Sequence, residues 1–364
     1  MQSSRTNYLD HIKVVLTILV ILHHVCVCYG APGGWYFRQP TTIEGALIAM
    51  TVFVATNQSF FMGFFFLLSA YFTEPSLQRK GTKKFIQDRL IRFGIPLVFY
   101  SLLLSPFMSY LVYHHDHPIS YLQYLQGYDN WIEFGVLWFV AALLVFTFLF
   151  IALRNIKTGD SPLPGTKRIL LFAISLGLIS FLVRLVFPVG WVLHPVGFQF
   201  GHFPQYIALF TIGIIARRNN WAEQLQYSTA KNFRWIAILM VIIGFPTMFF
   251  LRTIWHSPIA NFQGGWNMLS FMYSIWEQVT GVSIIVAMTG IFKYKWNGPS
   301  TLLSREAFAI YIFHPLPLVV FSLLLADWHT DAALKLLIVA PLAVISAILL
   351  GKILVKIPGV NKII

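Results

Sequence analysis

An all-α polytopic membrane helix bundle is the fold class this sequence predicts, and three observations carry the prediction. Of the 364 residues, 57% are hydrophobic and only 11% charged, where soluble domains carry about 25% charged residues. Ten predominantly apolar segments approach or exceed the roughly 20 residues that cross the hydrocarbon core as a helix. Lysine and arginine alternate from loop to loop, the pattern that orients a chain in a bilayer.

The segments lie near residues 10–30, 45–73, 85–113, 133–153, 168–187, 203–216, 233–251, 266–292, 303–325 and 334–355. Met1 to Asp10 is short and polar, and no convincing small-residue cleavage site follows it. The first segment therefore reads as a retained span, not a removed signal. Cys26 and Cys28 within it have no ligand cluster beside them and read as packing residues, with no metal site expected. The second segment is long enough to tilt or to break near Asn57, and the sixth is short.

The net charge is +13, but in a membrane protein the placement of basic residues comes first, and no nucleic-acid partner is expected. One side holds Arg5 and Lys13; Arg79, Lys80, Lys83, Lys84, Arg89 and Arg92; Arg154, Lys157, Lys167 and Arg168; Arg217, Arg218, Lys231 and Arg234; Lys293, Lys295 and Arg305; and Lys352, Lys356 and Lys362. These are 22 of the 26. Arg38, Arg252 and Lys335 fall opposite, and Arg184 lies near the end of a span. The basic side is the cytoplasmic one, which puts both termini in the cytoplasm. No linker or shift in composition divides residues 1–364, so a single transmembrane domain with no fused soluble domain is expected. On the other side, the loop from Tyr113 to Trp131 is rich in His, Tyr and Asp and lacks Lys and Arg. That surface suits sugars, but Tyr and Trp gather at any membrane interface, and the interface reading takes precedence.

An ionisable group deep in a span is costly and is by default a functional candidate. Lys13 and His24 are eleven residues apart, three helical turns, so they share a face roughly 16 Å apart along the axis, with Asp10 and Thr17 near the same stripe. His23 points elsewhere. A neutral histidine can take the proton of an attacking hydroxyl; the bland alternative is a pore-lining or helix-bonding histidine. Arg89 and Arg92, spaced i, i+3 at the cytoplasmic edge, can share a phosphate ligand through their planar forks, whereas Lys80, Lys83 and Lys84 suit anionic lipid. At the depth of His24 lie Glu277 and His314, with Asn57 and Gln58 near mid-depth in the second span. Glu277 can orient His24 as the carboxylate of a triad does, or be a relay or structural carboxylate. His314, followed by Pro315 and Pro317, either lines the same cavity or bonds backbone carbonyls that the prolines free. Arg184 is expected to snorkel, with a substrate role as the alternative.

Taken in order, these motifs resemble the acyltransferase-3 family of ten-helix membrane enzymes. That family opens with a basic residue, ten residues and a histidine, matched by Lys13 and His24 in KVVLTILVILHH, with lysine where arginine is more usual. An FFLLSGYF-type motif stands as FFLLSAYF from Phe65 to Phe72, containing Ser69 and carrying Ala70 in place of the glycine. Arg89 and Arg92 form the RxxR pair, and LWFVAALLVF, GHFPQYIALFTIGIIARR and SREAFAIYIFHPLPLV extend the likeness over nearly the whole chain. WYFRQPTT and WEQ look closest to the branch that includes the periplasmic glucan succinyltransferase.

The resemblance implies a multi-pass enzyme of a bacterial inner or plasma membrane that moves an acyl group, acetyl or succinyl, from cytosolic acyl-CoA to a hydroxyl of an extracytoplasmic glycan. Acyl-CoA is then a co-substrate, with no permanently bound cofactor, and membrane lipid surrounds a chain whose homo-oligomerisation is left open. His24 and Glu277 are the expected catalytic residues, and Lys13, Arg89 and Arg92 the expected acyl-CoA contacts. Asn57, Ser69, Arg184 and His314 are expected at the cavity or substrate. The other class in play is a proton-coupled transporter or flippase for a sugar-containing or small anionic substrate. Such folds commonly carry internal repeats, and none is visible.

Overall fold

The structure, a computed structural model, describes residues 7–155, 159–299 and 306–363. Arg5, Lys157 and Arg305 of the basic set lie outside them. No β-strand occurs among the described residues; the long elements are all helices. In chain order they are α1 (Asn7–Cys28), α2 (Glu44–Gln58), α3 (Phe61–Lys80), α4 (Thr82–Asp116), α5 (Trp138–Leu153), α6 (Thr166–Arg184), α7 (Phe203–Arg218), α8 (Tyr227–Ile254), α9 (Met268–Lys295), α10 (Ala307–Phe313), α11 (Pro315–Leu324) and α12 (Ala332–Leu354). Eight spans among the described residues are long and apolar enough to cross a membrane, with α2 and α3 together as one, and the bent α10–α11 pair makes nine. The remaining expected crossing, at residues 203–216, is α7, whose 16 residues fall about a turn short of a full span.

Hydrogen bonds between helix ends respect the alternation read from the charges. On the basic side Arg154 Nη1 donates to Thr82 Oγ1 at 2.8 Å, Arg218 Nε to Glu74 Oε2 at 2.7 Å and Lys293 Nζ to the Glu223 carbonyl at 2.7 Å. On the other side Lys335 Nζ donates to Gln39 Oε1 at 2.9 Å, and the Val189 amide to the Gln263 carbonyl at 2.7 Å. The outward helix surfaces are apolar: Val98, Leu103, Ile242, Phe250 and Leu337 all stand exposed. A surface of that kind belongs against lipid.

Prolines shape the long helices. Pro96, Pro106 and Pro246 each follow by two residues a π-helical turn, at Leu90–Gly94, Tyr100–Leu104 and Met240–Gly244. A proline supplies no N–H to the helix ladder, and the widened turn before it absorbs the mismatch without ending the helix. α1 runs through the middle of the bundle and touches α2, α3, α9, α10, α11 and α12. α3 packs along α7, and α9 lies between α6 and α8.

The break expected near Asn57 falls at Ser59 and Phe60. Inside a bilayer a freed backbone carbonyl needs a partner from the protein, and here Gln205 Nε2 donates to the Ser59 carbonyl at 2.6 Å. The approach is possible because position 281 of α9 has no side chain: a Cβ there would stand 1.9 Å from the Ser59 oxygen. Gly213 does the same for α3 and α7, where a Cβ would meet the Leu67 carbonyl oxygen at 2.4 Å. On the outer side Asp331 caps α12, accepting from the Ala333 amide at 2.7 Å, Thr41 Oγ1 at 2.5 Å and Thr42 Oγ1 at 2.8 Å. It thereby ties the α1–α2 loop to the last helix.

Gly281→Ala is expected to destabilise the fold by about 1–3 kcal/mol or more, because the methyl must displace a backbone carbonyl and not a pliable side chain. Thermal unfolding in detergent measures it, and a wild-type melting temperature would contradict this packing. The donors around Asp331, Thr41 foremost, then the Ala333 amide and Thr42, hold its carboxyl below the usual carboxylate range. The folded chain thus favours the charged form, so the stabilisation is present in full above the unfolded pKa of about 3.9 and is lost as pH falls through the folded value. Asp331→Ala should lower the melting temperature near neutrality, and the gap from wild type should close as the solution is acidified.

Candidate functional site

The outer half of α1 carries the first polar centre. Beyond its end the chain folds back, with the Gln39 amide on the Cys28 carbonyl at 2.9 Å and the Thr41 amide on the Tyr29 carbonyl at 3.0 Å. This return lays Trp35 on His24, ring centroids 4.2 Å apart and planes 19° from parallel. His24 Nδ1 lies 3.0 Å from His314 Nε2. Pro315, lacking an N–H, leaves the Tyr311 carbonyl without its helical partner, and His314 Nδ1 takes that carbonyl at 2.7 Å.

A carbonyl only accepts, so His314 Nδ1 carries the proton, and the Nε2 of the neutral ring is then an acceptor. His24 Nδ1 must therefore donate to it. The ring nitrogen left over, His24 Nε2, keeps its lone pair.

A second centre lies at the outer ends of α6, α7 and α9. Arg184 is fully buried and donates through Nη2 to Glu277 Oε2 at 2.5 Å, through Nε to the Gly201 carbonyl at 3.1 Å and through Nη1 to Ser274 Oγ at 3.2 Å. Its Nη2 also faces His202 Nδ1 at 3.2 Å, which lies 3.3 Å from Glu277 Oε1. Gln278 Nε2 donates to Glu277 Oε2 at 2.9 Å, and Gln205 Nε2 to Gln278 Oε1 at 2.8 Å. Buried charges persist when paired and hydrogen-bonded; this pair is held from three helices, with His202 beside the second carboxylate oxygen.

Both centres face one cavity of about 590 Å³. Its polar wall includes His23, His24, Gln58, His202, Tyr206, Tyr273 and Tyr311. Val20, Val54, Phe61, Trp138 and Phe245 supply apolar wall. Pro32, Gly33 and Gly34, Val189, Gly190 and Val192, and the Ile259–Phe262 turn bound it on the side poor in basic residues.

Several expected placements need correction. Glu277 does not meet His24; the buried Arg184 claims it, since two opposite charges out of water gain most by pairing. Arg184 does not snorkel, for the same reason. His314, not Glu277, is the partner of His24, and it realises the freed-carbonyl role instead of lining the cavity. Asn57 also stands behind the wall, donating to the Leu19 carbonyl at 3.1 Å and lying 3.3 Å from His23 Nδ1. Ser69 is not on the cavity wall either; its carbonyl accepts Thr73 Oγ1 at 2.8 Å.

The basic candidates gather at the other end of α3. Lys13 pairs with Asp10 at 3.1 Å and sits 4.5 Å above the Phe72 ring. Arg89 Nη2 reaches Thr73 Oγ1 at 3.5 Å, and its guanidinium lies over Phe85 and Phe93. Arg92, inside the first π-helical turn of α4, lies over Phe308 instead. The two arginines thus rest on different aromatic neighbours, and no carboxylate among the described residues pairs with either. Sequence reasoning missed His202, Tyr206 and Trp35. A segment boundary at 203 left His202 in a loop, while the i, i+4 spacing of His202 and Tyr206 in GHFPQY was the signal available.

Residues 6–354 match the model of a family described as an acyltransferase domain. No curated protein and no solved structure matches the chain. With nearly its whole length covered, this multi-pass membrane chain belongs to the acyltransferase-3 family of membrane acyltransferases.

Proposed function

We propose that the protein carries an acyl group, acetyl or succinyl, from cytosolic acyl-CoA to a hydroxyl of an extracytoplasmic glycan, with His24 as general base. The observation that carries the reading is His24 on the cavity wall with His314 Nε2 3.0 Å behind its Nδ1; the tautomer argued above puts the Nδ1 proton on that side, where the Val20 carbonyl is its other neighbour, and leaves Nε2 its lone pair. A base in that state needs no prior deprotonation to accept a hydroxyl proton. His24 Nε2 takes the proton as the hydroxyl oxygen bonds to the thioester carbon, and the carbonyl pair moves onto its oxygen. When that pair returns, the C–S bond breaks and the CoA sulfur leaves with the proton from His24. His314 holds the imidazolium in the interval by accepting its Nδ1–H, the part an aspartate plays in a serine triad.

Direct transfer is favoured by the wall itself. Its hydroxyls are those of Thr51, Tyr206, Tyr273 and Tyr311, and neither serine nor cysteine lines it among the described residues. Lys13, Arg89 and Arg92 are assigned to the CoA phosphates, for which the unpaired guanidinium forks are suited. The aromatic cluster of Tyr110 and Tyr113 in the last turns of α4 with Tyr124, Tyr128 and Trp131 beyond its end offers faces on which sugar rings can stack.

Purified protein given radiolabelled acetyl- or succinyl-CoA and candidate glycans should release free CoA and label the acceptor. A transporter would consume no thioester. His24→Ala is expected to lower kcat on the order of 10²–10⁴-fold with the melting temperature kept, and a folded His24→Ala protein of full activity would sink the assignment. Arg89→Ala should instead raise KM for acyl-CoA with a smaller change in kcat, as the loss of ground-state binding does; unchanged KM would remove Arg89 from the phosphate site.

A further inference from the structure

His202 and Tyr206 occupy successive turns of the same helical segment, i and i+4, with ring centroids 6.3 Å apart and planes 29° from parallel, and both line the cavity that holds His24. What each can offer a ligand is decided by the groups behind it. Arg184 Nη2 can only donate, and its hydrogen is directed at His202 Nδ1. With that hydrogen on Nδ1 the neutral ring has Nδ1 as acceptor and its own proton on Nε2; the other neutral tautomer, with Nδ1–H on Glu277 Oε1, would leave Nε2 a lone pair. If the ring is protonated, Nδ1–H turns to Glu277 Oε1, 3.3 Å away, and Nε2 still carries a proton. His202 Nε2 is thus a donor in the Arg184-bonded and in the protonated state, the two on which the proposal stands.

Tyr206 is similarly committed. Its hydroxyl accepts from Gln58 Nε2 at 3.3 Å, and no acceptor for its own proton is found among the described residues. The phenol proton is left for whatever fills the cavity.

We infer that His202 Nε2–H and Tyr206 O–H form the oxyanion-binding pair of this active site, holding the acyl carbonyl oxygen as it takes up negative charge. The inference rests on the acyl-transfer reading above and extends it. In that reaction the hydroxyl proton goes to His24 Nε2, the new C–O bond forms, and the carbonyl pair becomes an oxygen anion that accepts the two protein donors. Return of the pair expels the CoA sulfur, and neither His202 nor Tyr206 gives up its proton. Arg184, itself balanced by Glu277, polarises the imidazole and strengthens its Nε2–H without placing a free cation in the cavity. Fixed donors set in a largely apolar wall stabilise a developing charge better than water does, because they need no reorganisation when it appears.

Two amide substitutions separate this role from a structural one, since Gln places its NH₂ near the position of histidine Nε2 and Asn near that of Nδ1. His202→Gln keeps a donor toward the cavity; His202→Asn keeps only a partner for Arg184 and Glu277. Steady-state transfer should show His202→Asn down on the order of 10²–10³-fold in kcat, with KM for acyl-CoA nearly unchanged and His202→Gln well above it. Tyr206→Phe, which keeps the ring packing, should lower kcat at constant KM. The reverse ranking, with Asn active and Gln inactive, overturns the inference by assigning His202 to the clasp alone. Equal loss or full activity in both amides, or a Tyr206→Phe protein with wild-type kcat, also overturns it.

His24→Ala, run alongside, separates the two readings. Wild-type transfer that collapses in His24→Ala while the His202 and Tyr206 variants stay active defeats only the donor pair. A wild type that never consumes acyl-CoA defeats both.

Discussion

One chain of buried hydrogen bonds joins the break in the second crossing to the second polar centre. The Ser59 carbonyl, released where α2 gives way to α3, accepts from Gln205; the other proton of that amide goes to Gln278; Gln278 donates to Glu277; Glu277 holds Arg184; and Arg184 reaches His202. In hydrocarbon no water can substitute for any of these partners. Gln205 spends both amide protons inside the chain, and Arg184 has four acceptors around its fork. Residues from α6, α7, α9 and the α2–α3 break are thereby fixed relative to one another. Gly281 makes the arrangement possible, since any side chain there would push the Ser59 carbonyl away from Gln205.

The same physics gives two histidines of one cavity opposite characters. His24 has an acceptor behind it, because Pro315 orphans the Tyr311 carbonyl and His314 passes that demand on. His202 has Arg184 behind it, which has only protons to give, with Glu277 Oε1 3.3 Å from the same nitrogen. On the proposed reading one ring is left with a lone pair and the other with an N–H, although the residue type is the same. Acid–base roles here are set by what stands on the far side of each ring.

Depth and periodicity were legible in the sequence; azimuth and partners were not. Lys13 and His24 on one stripe, the alternation of basic ends and the break near Asn57 follow from residue spacing along single elements. Pairing Glu277 with His24 used equal depth alone, and depth says nothing of which neighbour a side chain meets around the helix axis. A purely electrostatic argument would have done better: Arg184 and Glu277 are opposite charges at neighbouring depths, and neither is stable there without the other. Arg92 lies inside the π-helical turn before Pro96, where the ideal i, i+3 phase does not hold, and it rests on Phe308 while Arg89 rests on Phe85 and Phe93.

α3 is the element that relates the two ends of the proposed reaction. Its first residue, Phe61, stacks on His23 with centroids 5.0 Å apart and lines the cavity, while Phe72 and Thr73 lie beneath Lys13 and Arg89. Those positions are eleven and twelve residues apart, roughly 17 Å along a helix at 1.5 Å per residue. This is nearly the separation of Lys13 and His24 on α1, so the two helices run side by side over the interval a thioester must cross. On the proposed reading the phosphates stay at the Lys13 and Arg89 end, and the pantetheine arm follows the α1–α3 side of the bundle to the cavity. The small residues Ser69 and Ala70 fall on that stretch of α3. Ala70 is buried there against the glycine at position 213 of α7, which lets α3 and α7 approach closely and fixes α3 in the register that relates the two ends.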